Sequence, residues 1–281
     1  MITVFANFRI NNKVRLDIFK LSFESIKNES ILDNWVINCR GEYKTEVYKI
    51  LKESLGEKLK FSTYESRKGW FFDSSKMLNN ILNDFIFFWI EDHLKISKNF
   101  FNKKDLKIFS TNNIDYLQYS FTHQQRYKDL NPYLSGEDNN FYYYEINKNK
   151  SKHKIYTISA VGLFKKFFFT KIITKNHPIL KRWPRNTPFD FEKTNRDRFF
   201  LPVKIALPKH EKFACIDDDH GQDKYSLISR GYFEFEPNLR MKLKQIEYKP
   251  ILSQRFSILN YTPKFFKNLY RILLRIKYSL F

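Results

Sequence analysis

Cysteine and glycine are scarce in this chain of 281 residues, which has only two cysteines and seven glycines. Because Cys39 and Cys215 form no C-x-x-C pair, neither a disulfide framework nor a cysteine-rich zinc site is favoured. The glycines fall at neither G-x-G-x-x-G nor G-x-x-x-x-G-K spacing, and G-x-S-x-G and H-E-x-x-H are absent. These absences disfavour dinucleotide-binding and P-loop folds, kinases, serine hydrolases and zinc proteases.

Long hydrophobic runs are also missing. No apolar stretch approaches the roughly 18 residues that a membrane-spanning helix needs, and no basic segment with an apolar core follows Met1. The sequence therefore predicts neither a signal peptide nor a transmembrane helix. Together with the unpaired cysteines, this favours a reducing cytoplasm.

Aromatic and basic residues are abundant instead. The hydrophobic fraction of 42% and the aromatic fraction of 18% allow a sizeable core. A formal net charge of +20 predicts attraction to an anionic partner. Composition alone leaves three classes open, namely nucleic acid, nucleotide phosphates and a membrane surface.

The first ninety or so residues alternate between strand and helix patterns. We predict strands at residues 2–8, 35–39, 58–65 and 85–90, with helices over 16–26, 47–55 and 72–82 between them. Such alternation is typical of an α/β protein with a mainly parallel central sheet, right-handed crossovers and flanking helices.

The pattern after residue 93 is less regular. We predict a surface loop or hairpin at 135–152, a strand-rich segment at 154–174 broken at 162–166, an irregular proline-marked segment at 176–209 and a strand at 212–217.

Acidic residues follow two of the predicted strands. Glu91, Asp92 and His93 come directly after the apolar run 85–90, where ligands bind in open α/β sheets. Adjacent hard oxygen ligands suit a divalent cation, with the histidine as a further ligand. A second cluster, 217–220, follows another strand and competes with the first. Either cluster is also explained by a solvated acidic turn.

With Asn7 and Arg9 ending the first strand, Arg40 the second and Glu91–His93 the fourth, the chain resembles nucleotide-sugar glycosyltransferases of the GT-A type. In that fold the first strands form a nucleotide-binding half, and a D-x-D-like motif ends a central strand. The resemblance covers about residues 2–93, and 154–231 more weakly, with Glu-Asp-His standing in place of Asp-x-Asp. It implies one catalytic domain over 1–262, with a nucleotide-binding half over about 1–93 and an acceptor half over 94–262.

The resemblance also implies roles for individual residues. The donor-binding residues would be Asn7, Arg9, Arg40, Glu65, Arg67, Lys68 and Asp92. The ligands of a divalent metal, Mn²⁺ or Mg²⁺, would be Glu91, Asp92, His93 and His220. Basic side chains are the alternative means of stabilising a diphosphate leaving group. Arg67 and Lys68 also fit a solvated basic turn.

A transfer with inversion needs a carboxylate base. The resemblance places it at a later helix start, where Asp190 and, second, Glu192 are the candidates. The same local sequence also fits an ordinary helix N-terminus, with Thr187 or Asp190 as the capping residue.

Residues 263–281 are predicted to form a basic amphipathic helix, because apolar and basic residues separate onto two faces and no acidic residue follows Glu247. Such a helix binds an anionic membrane interface. Docking of its apolar face on the core is the alternative.

We therefore expect a hexosyltransferase-like glycosyltransferase that moves a sugar from a nucleotide-sugar donor to a glycan or lipid-linked acceptor in bacterial capsule or lipopolysaccharide biosynthesis. The expected location is cytoplasmic and peripheral on the inner face of the cell membrane. Two alternatives stay open: a non-catalytic membrane-surface interaction protein, and a single-stranded nucleic-acid-binding protein. Nucleic acid is not expected, because no RRM, KH or helix-turn-helix signature is evident and the two acidic clusters would repel phosphate unless they bind metal.

Overall fold

A computed structural model describes residues 1–97, 103–119, 131–147, 161–174, 201–216, 226–228, 230–235 and 241–243. The helices in these ranges are α1 (Lys13–Ile26), α2 (Lys44–Leu55), α3 (Trp70–Met77), α4 (Lys103–Thr111) and α5 (Lys166–Thr174). The strands are β1 (Ile2–Arg9), β2 (Leu32–Arg40), β3 (Leu59–Ser62), β4 (Phe85–Phe88), β5 (His93–Lys95), β6 (Tyr116–Gln118), β7 (Leu134–Glu137), β8 (Phe141–Ile146), β9 (Gly162–Lys165), β10 (Val203–Pro208), β11 (Phe213–Cys215), β12 (Phe233–Phe235) and β13 (Met241–Leu243).

A nine-stranded sheet with the order β3-β2-β1-β4-β9-β6-β10-β8-β7 organises the described part of the chain. Strands β3, β2, β1 and β4 are mutually parallel, as predicted. Beyond β4 the sheet is mixed, because β9 lies antiparallel between β4 and β6, and β8 runs antiparallel to β10. The predicted α/β sheet is thus confirmed, with its purely parallel part confined to the first four strands.

Two helical layers cover the first half of the sheet. On one face, α1 buries Phe19 and Phe23 against Trp35 and Trp89, with ring centroids 5.7–6.2 Å apart. On the other face, Phe169 of α5 contacts Phe5 at 5.0 Å. Side chains of a strand alternate between faces, so the neighbouring residues of β1 serve both layers. Offset and edge-on aromatic contacts of this kind stabilise a core beyond the area that they bury.

The second half contains the predictions that were wrong. Of the segment predicted as a break at 162–166, residues 162–165 form β9, and 166–174, most of which was predicted as strand, form α5. The buried side chains Phe168, Phe169, Ile172 and Ile173 recur with the period of a helix. Strand β10 likewise occupies the end of the segment predicted to be irregular. The hairpin within 135–152 is confirmed as β7–β8.

Strands β5 and β11 form a separate antiparallel ribbon beside α1. The hydroxyl of Ser22 donates a 2.5 Å hydrogen bond to the carbonyl oxygen of His93, and the amide of Lys95 donates to the Ser25 hydroxyl at 3.1 Å. These bonds hold the chain that leaves β4 against α1. Among the described helices, none has the length and apolarity to cross a membrane.

Candidate functional site

The crevice between the carboxyl ends of β1 and β4 is a topological switch point. The chain proceeds from β1 through β2 to β3 on one side, and then returns to β4 on the other side of β1. Connections leave such a point in opposite directions, which opens a crevice where ligands of α/β sheets bind. Arg9 and the Glu91–His93 loop lie at this crevice.

Asn7 is buried just below the crevice, at 1% exposure. Its amide Nδ2 donates to the Ser74 hydroxyl at 2.9 Å and to the Trp70 carbonyl at 3.3 Å. Its Oδ1 accepts a 2.9 Å bond from Nδ2 of Asn38. The Asn7 side chain thus links β1 to β2 and α3, and its polar atoms already have partners within the protein.

Arg9 and Arg40 are register partners across β1 and β2. Arg9 is partly exposed and forms a salt bridge with Glu65. Arg40 is buried at 1% exposure. Burial and the charge of Arg9 lower the pKa of Arg40, while Asp73 and Glu91 act in the opposite direction. Two guanidinium groups, surrounded by carboxylates, therefore lie at the carboxyl ends of β1 and β2.

Glu91 interacts electrostatically with the buried Arg40. Its side chain is 8% exposed and acts electrostatically on both Arg40 and Cys39. Burial raises the pKa of the Cys39 thiol to about 12, and Glu91 contributes to the increase. Cys39 is therefore a protonated core residue at neutral pH.

Asp92 and His93 form a second group beside α1. Oδ1 of Asp92 lies 2.6 Å from Nδ1 of His93, and Oδ2 lies 3.6 Å from Nη1 of Arg15. Burial alone would raise the pKa of Asp92, but His93 and Arg15 outweigh burial and lower it. The consecutive residues Glu91 and Asp92 thus interact with different neighbours.

Cys215 joins Asp92 and His93 from a distant part of the chain. It is the register partner of His93 in the β5–β11 ribbon. One donor atom from each of the three side chains lies within 4.8 Å of the other two. An imidazole, a thiol and a carboxylate at this spacing can ligate a metal ion.

Arg67 and Lys68 lie in the exposed turn before α3. The ammonium of Lys68 lies 4.7 Å from the centre of the Phe72 ring. The Asp73 carboxylate accepts a 2.9 Å bond from the amide of Ser66 and so closes the turn. Both cations are exposed to solvent. They lie near Arg9, because Glu65, the salt-bridge partner of Arg9, immediately precedes the turn.

Several predicted residues lie outside the described ranges: Asp190, Glu192, His220 and the tail 263–281. Conversely, sequence reasoning overlooked Arg15, Trp70 and Cys215. Cys215 had one available signal, since it lies in a predicted strand that precedes an acidic cluster. Nothing local indicated that this strand would pair with residues 93–95.

No family model and no curated protein sequence matches the chain. Its fold is similar to the S. aureus TarS 1–349 structure with UDP (TM-score 0.47, 11% identity), covering 75% of this chain and 59% of that one. The complex of TarS 1–349 with UDP-GlcNAc has a TM-score of 0.43 and 11% identity, covering 75% of this chain and 57% of that one. A putative glucose-1-phosphate thymidylyltransferase from Bacillus anthracis has a TM-score of 0.43 and 9% identity, covering 76% of this chain and 89% of that one.

The chain thus spans less than two thirds of the TarS 1–349 chains. The fold itself is clear from the strand order, in which the four parallel strands β3-β2-β1-β4 carry a switch point and residues 91–93 follow β4. This chain has a Rossmann-type α/β fold.

Proposed function

We propose that this chain is a glycosyltransferase that transfers a sugar from a nucleotide-sugar donor to a glycan or lipid-linked acceptor of a bacterial cell surface. The observation that carries the proposal is the crevice at the switch point between β1 and β4, with guanidinium groups at its edge. A nucleoside diphosphate is an anionic ligand of the size and charge that such a crevice accommodates.

Sugar transfer develops negative charge on the departing diphosphate, and cationic groups stabilise that charge. Arg9, Arg67 and Lys68 are exposed or partly exposed cations that follow or end the parallel strands β1 and β3. Arg40 is buried, so its charge would act on the diphosphate through space. A diphosphate would compete with Glu65 for Arg9, which offers two hydrogen bonds to a planar or tetrahedral anion.

A Mn²⁺ or Mg²⁺ ion remains part of the proposal, although the described donor atoms fit these hard ions poorly. Both metals prefer several oxygen ligands. Glu91 interacts with buried Arg40, and Asp92 already lies against His93 and Arg15. We therefore assign the stabilisation of the diphosphate to the basic side chains and keep metal dependence as a variable of the test.

The remaining parts of the proposal concern residues outside the described ranges. Asp190, with Glu192 second, would act as the base for the acceptor hydroxyl. Residues 263–281 would hold the enzyme on the inner face of the cell membrane. An acceptor in capsule or lipopolysaccharide biosynthesis and hexosyltransferase-like specificity are consistent with a location at that surface.

Calorimetry of the full chain with UDP, GDP, CMP and their sugars tests the donor assignment. We expect one nucleotide to bind, and each of the single variants Arg67→Gln and Lys68→Gln to weaken that binding by about tenfold for each hydrogen bond lost to a charged partner. Lys52→Gln is the matched control, because Lys52 is paired with Glu57 at the end of α2. Titrations with and without Mn²⁺ or Mg²⁺ measure the metal dependence.

Equal weakening by all three lysine and arginine substitutions would indicate a nonspecific charge effect and contradict this site. Absence of nucleotide binding in every condition, together with salt-sensitive binding to single-stranded DNA or RNA, would replace the proposal with the nucleic-acid alternative.

A further inference from the structure

Three metal-ligating side chains of different chemistry meet between the end of β4 and the β5–β11 ribbon. We propose that Asp92, His93 and Cys215 bind a divalent ion of the zinc class, which fastens the ribbon to the end of β4. The inference goes beyond the proposed transferase function, because the site is formed without any nucleotide.

The backbone fixes two of the ligands relative to each other. Cys215 lies opposite His93 in an antiparallel pair, and neighbouring side chains in such a pair project on the same face. The amide of Ile216 also donates a 2.7 Å hydrogen bond to the carbonyl of Asp92. All three ligating side chains are therefore anchored by one short ribbon.

The donor atoms are close enough to converge on one ion. They lie within 4.8 Å of one another, and Oδ1 of Asp92 is 2.6 Å from Nδ1 of His93. Around a tetrahedral zinc ion, nitrogen, oxygen and sulfur ligands are separated by about 3.3–3.6 Å, given metal–ligand bonds of about 2.0–2.3 Å. To bind the ion, the 2.6 Å contact between Asp92 and His93 would widen to this range, and the ion would replace the proton between the two groups.

The ligand types select the metal. A thiolate and an imidazole suit zinc and its borderline-soft neighbours, whereas Mg²⁺ and Mn²⁺ prefer carboxylates and water. Three protein ligands leave a fourth position for water. Arg15, 3.6 Å from Oδ2 of Asp92, orients the carboxylate and leaves Oδ1 for the ion.

The ion would have a structural purpose at this position. Beside the ribbon lies a small separate core whose buried members are Ile18, Ala214, Ile216, Leu227 and Tyr232. So few apolar side chains stabilise a segment weakly. A metal bound between residues 92–93 and 215 would add binding free energy to the folded state.

Cobalt titration of the full chain, first treated with a chelator, tests the site. Thiolate ligation of Co²⁺ produces a charge-transfer absorption in the near ultraviolet, which zinc should abolish by displacement. We expect one equivalent of Co²⁺ in the wild type and in Cys39→Ala, and loss of the absorption in Cys215→Ser. Cys39 is the chain's other cysteine and is buried in the main core, so it provides the matched control.

A measurement on the unmodified protein covers the case in which a variant fails to fold. Zinc should protect Cys215 from iodoacetamide, with the labelled residue identified by mass spectrometry, whereas Mg²⁺ should not. Zinc should also raise the melting temperature of the wild type. Absence of a thiolate–cobalt absorption, or labelling of Cys215 at the same rate with and without zinc, would overturn the inference.

The nucleotide titrations separate this inference from the proposed function. Nucleotide binding without cobalt–thiolate absorption overturns only the metal site. A cobalt–thiolate site that depends on Cys215, in a chain that binds no nucleotide, supports the metal site and contradicts only the transferase proposal.

Discussion

Trp70 donates a 2.7 Å hydrogen bond from Nε1 to the main-chain carbonyl of Asn7. Asn7 returns a bond from Nδ2 to the carbonyl of Trp70. This reciprocal pair joins the first residue of α3 to the end of β1. The basic turn at 66–69 and the crevice beside β1 are consequently held by one buried polar network, so disruption of Trp70 should affect both stability and ligand binding.

Replacement of Trp70 by phenylalanine should destabilise the protein more than the same replacement of Trp35. Both indoles are buried, but Nε1 of Trp35 has no hydrogen-bond partner among the described residues. Trp70→Phe leaves a buried carbonyl with one donor fewer, which costs about 1–3 kcal/mol beyond the loss of packing. Urea unfolding of the two variants measures the difference.

The comparison between the two tryptophan variants cancels most of the change in side-chain volume. If Trp35→Phe and Trp70→Phe lower the free energy of unfolding equally, the hydrogen bond to Asn7 contributes nothing measurable. If Trp70→Phe also weakens nucleotide binding while Trp35→Phe does not, the network positions the crevice as well as stabilising the core.

Gly162 is required by the close approach of β9 to β6. A Cβ atom at this position would lie 2.3 Å from the ring of Tyr116 and 2.7 Å from the carbonyl oxygen of Leu117. Tyr116 is itself stacked on Phe164 at 4.2 Å, so it has little room to move. Gly162→Ala should therefore destabilise the protein by about 1–3 kcal/mol, as overpacking of a core does.

Gly136→Ala is the control for that substitution. Gly136 also lies in a strand, but a Cβ atom there meets nothing within 4 Å. Its free energy of unfolding should stay within about 0.5 kcal/mol of the wild type. Similar melting temperatures for the two alanine variants would show that the sheet relaxes around Gly162 and would contradict the packing argument.

The first half of the fold was predictable because its signals are local. The period of α1, the apolar run of β4 and the order of alternating elements all lie within short windows of sequence. The segment 162–174 was misjudged because Phe164 and Phe168 contribute equally to strand and helix patterns when the flanking contacts are unknown. The tertiary contact of Gly162 with Tyr116 explains a glycine that looked like a break.

The position of the Glu91–His93 triplet after β4 was predictable, but the contacts of its side chains were not. The triplet Glu91–His93 marked the carboxyl end of β4, yet sequence adjacency could not show that Glu91 acts on Arg40 while Asp92 pairs with His93. The meeting of Cys215 with His93 depends on a ribbon formed by segments far apart in the chain. Long-range pairing of this kind leaves no periodic signal.

Asp92 should make the stability of the protein depend on pH on the acid side. His93 and Arg15 lower its pKa in the folded state, whereas the unfolded value is about 3.9. The folded state therefore favours the charged carboxylate, and its contribution is present above about pH 4 and lost as the pH falls through the folded pKa. Asp92→Asn should flatten the acid limb of the stability curve.

Chemical unfolding at a series of pH values from neutral to acid measures this effect. The wild type should lose more stability on acidification than Asp92→Asn, and the two curves should converge at the acid end. Parallel curves over the whole range would mean that the interaction with His93 and Arg15 does not persist in solution. The experiment should be done with a chelator present, so that metal binding does not contribute.

Removing one partner of the buried ion pair between Glu211 and Arg230 should destabilise the protein strongly, whereas replacing both partners by apolar residues should change its stability little. Two hydrogen bonds, of 3.1 and 3.2 Å, join the guanidinium to the carboxylate, and the side chains are only 8% and 4% exposed. Burial raises the pKa of Glu211 even though Arg230 lowers it, so dehydration exceeds the attraction. Glu211→Gln removes the charge that balances a buried arginine and should cost about 3–5 kcal/mol.

The double variant Glu211→Met with Arg230→Met removes both charges while keeping similar side-chain length. Its stability should lie within about 1–2 kcal/mol of the wild type, because neither buried charge remains to be dehydrated. Thermal and urea unfolding of the single and double variants form the test. A double variant no more stable than Glu211→Gln would show that the ion pair itself, rather than the absence of an isolated charge, stabilises the turn that carries Arg230.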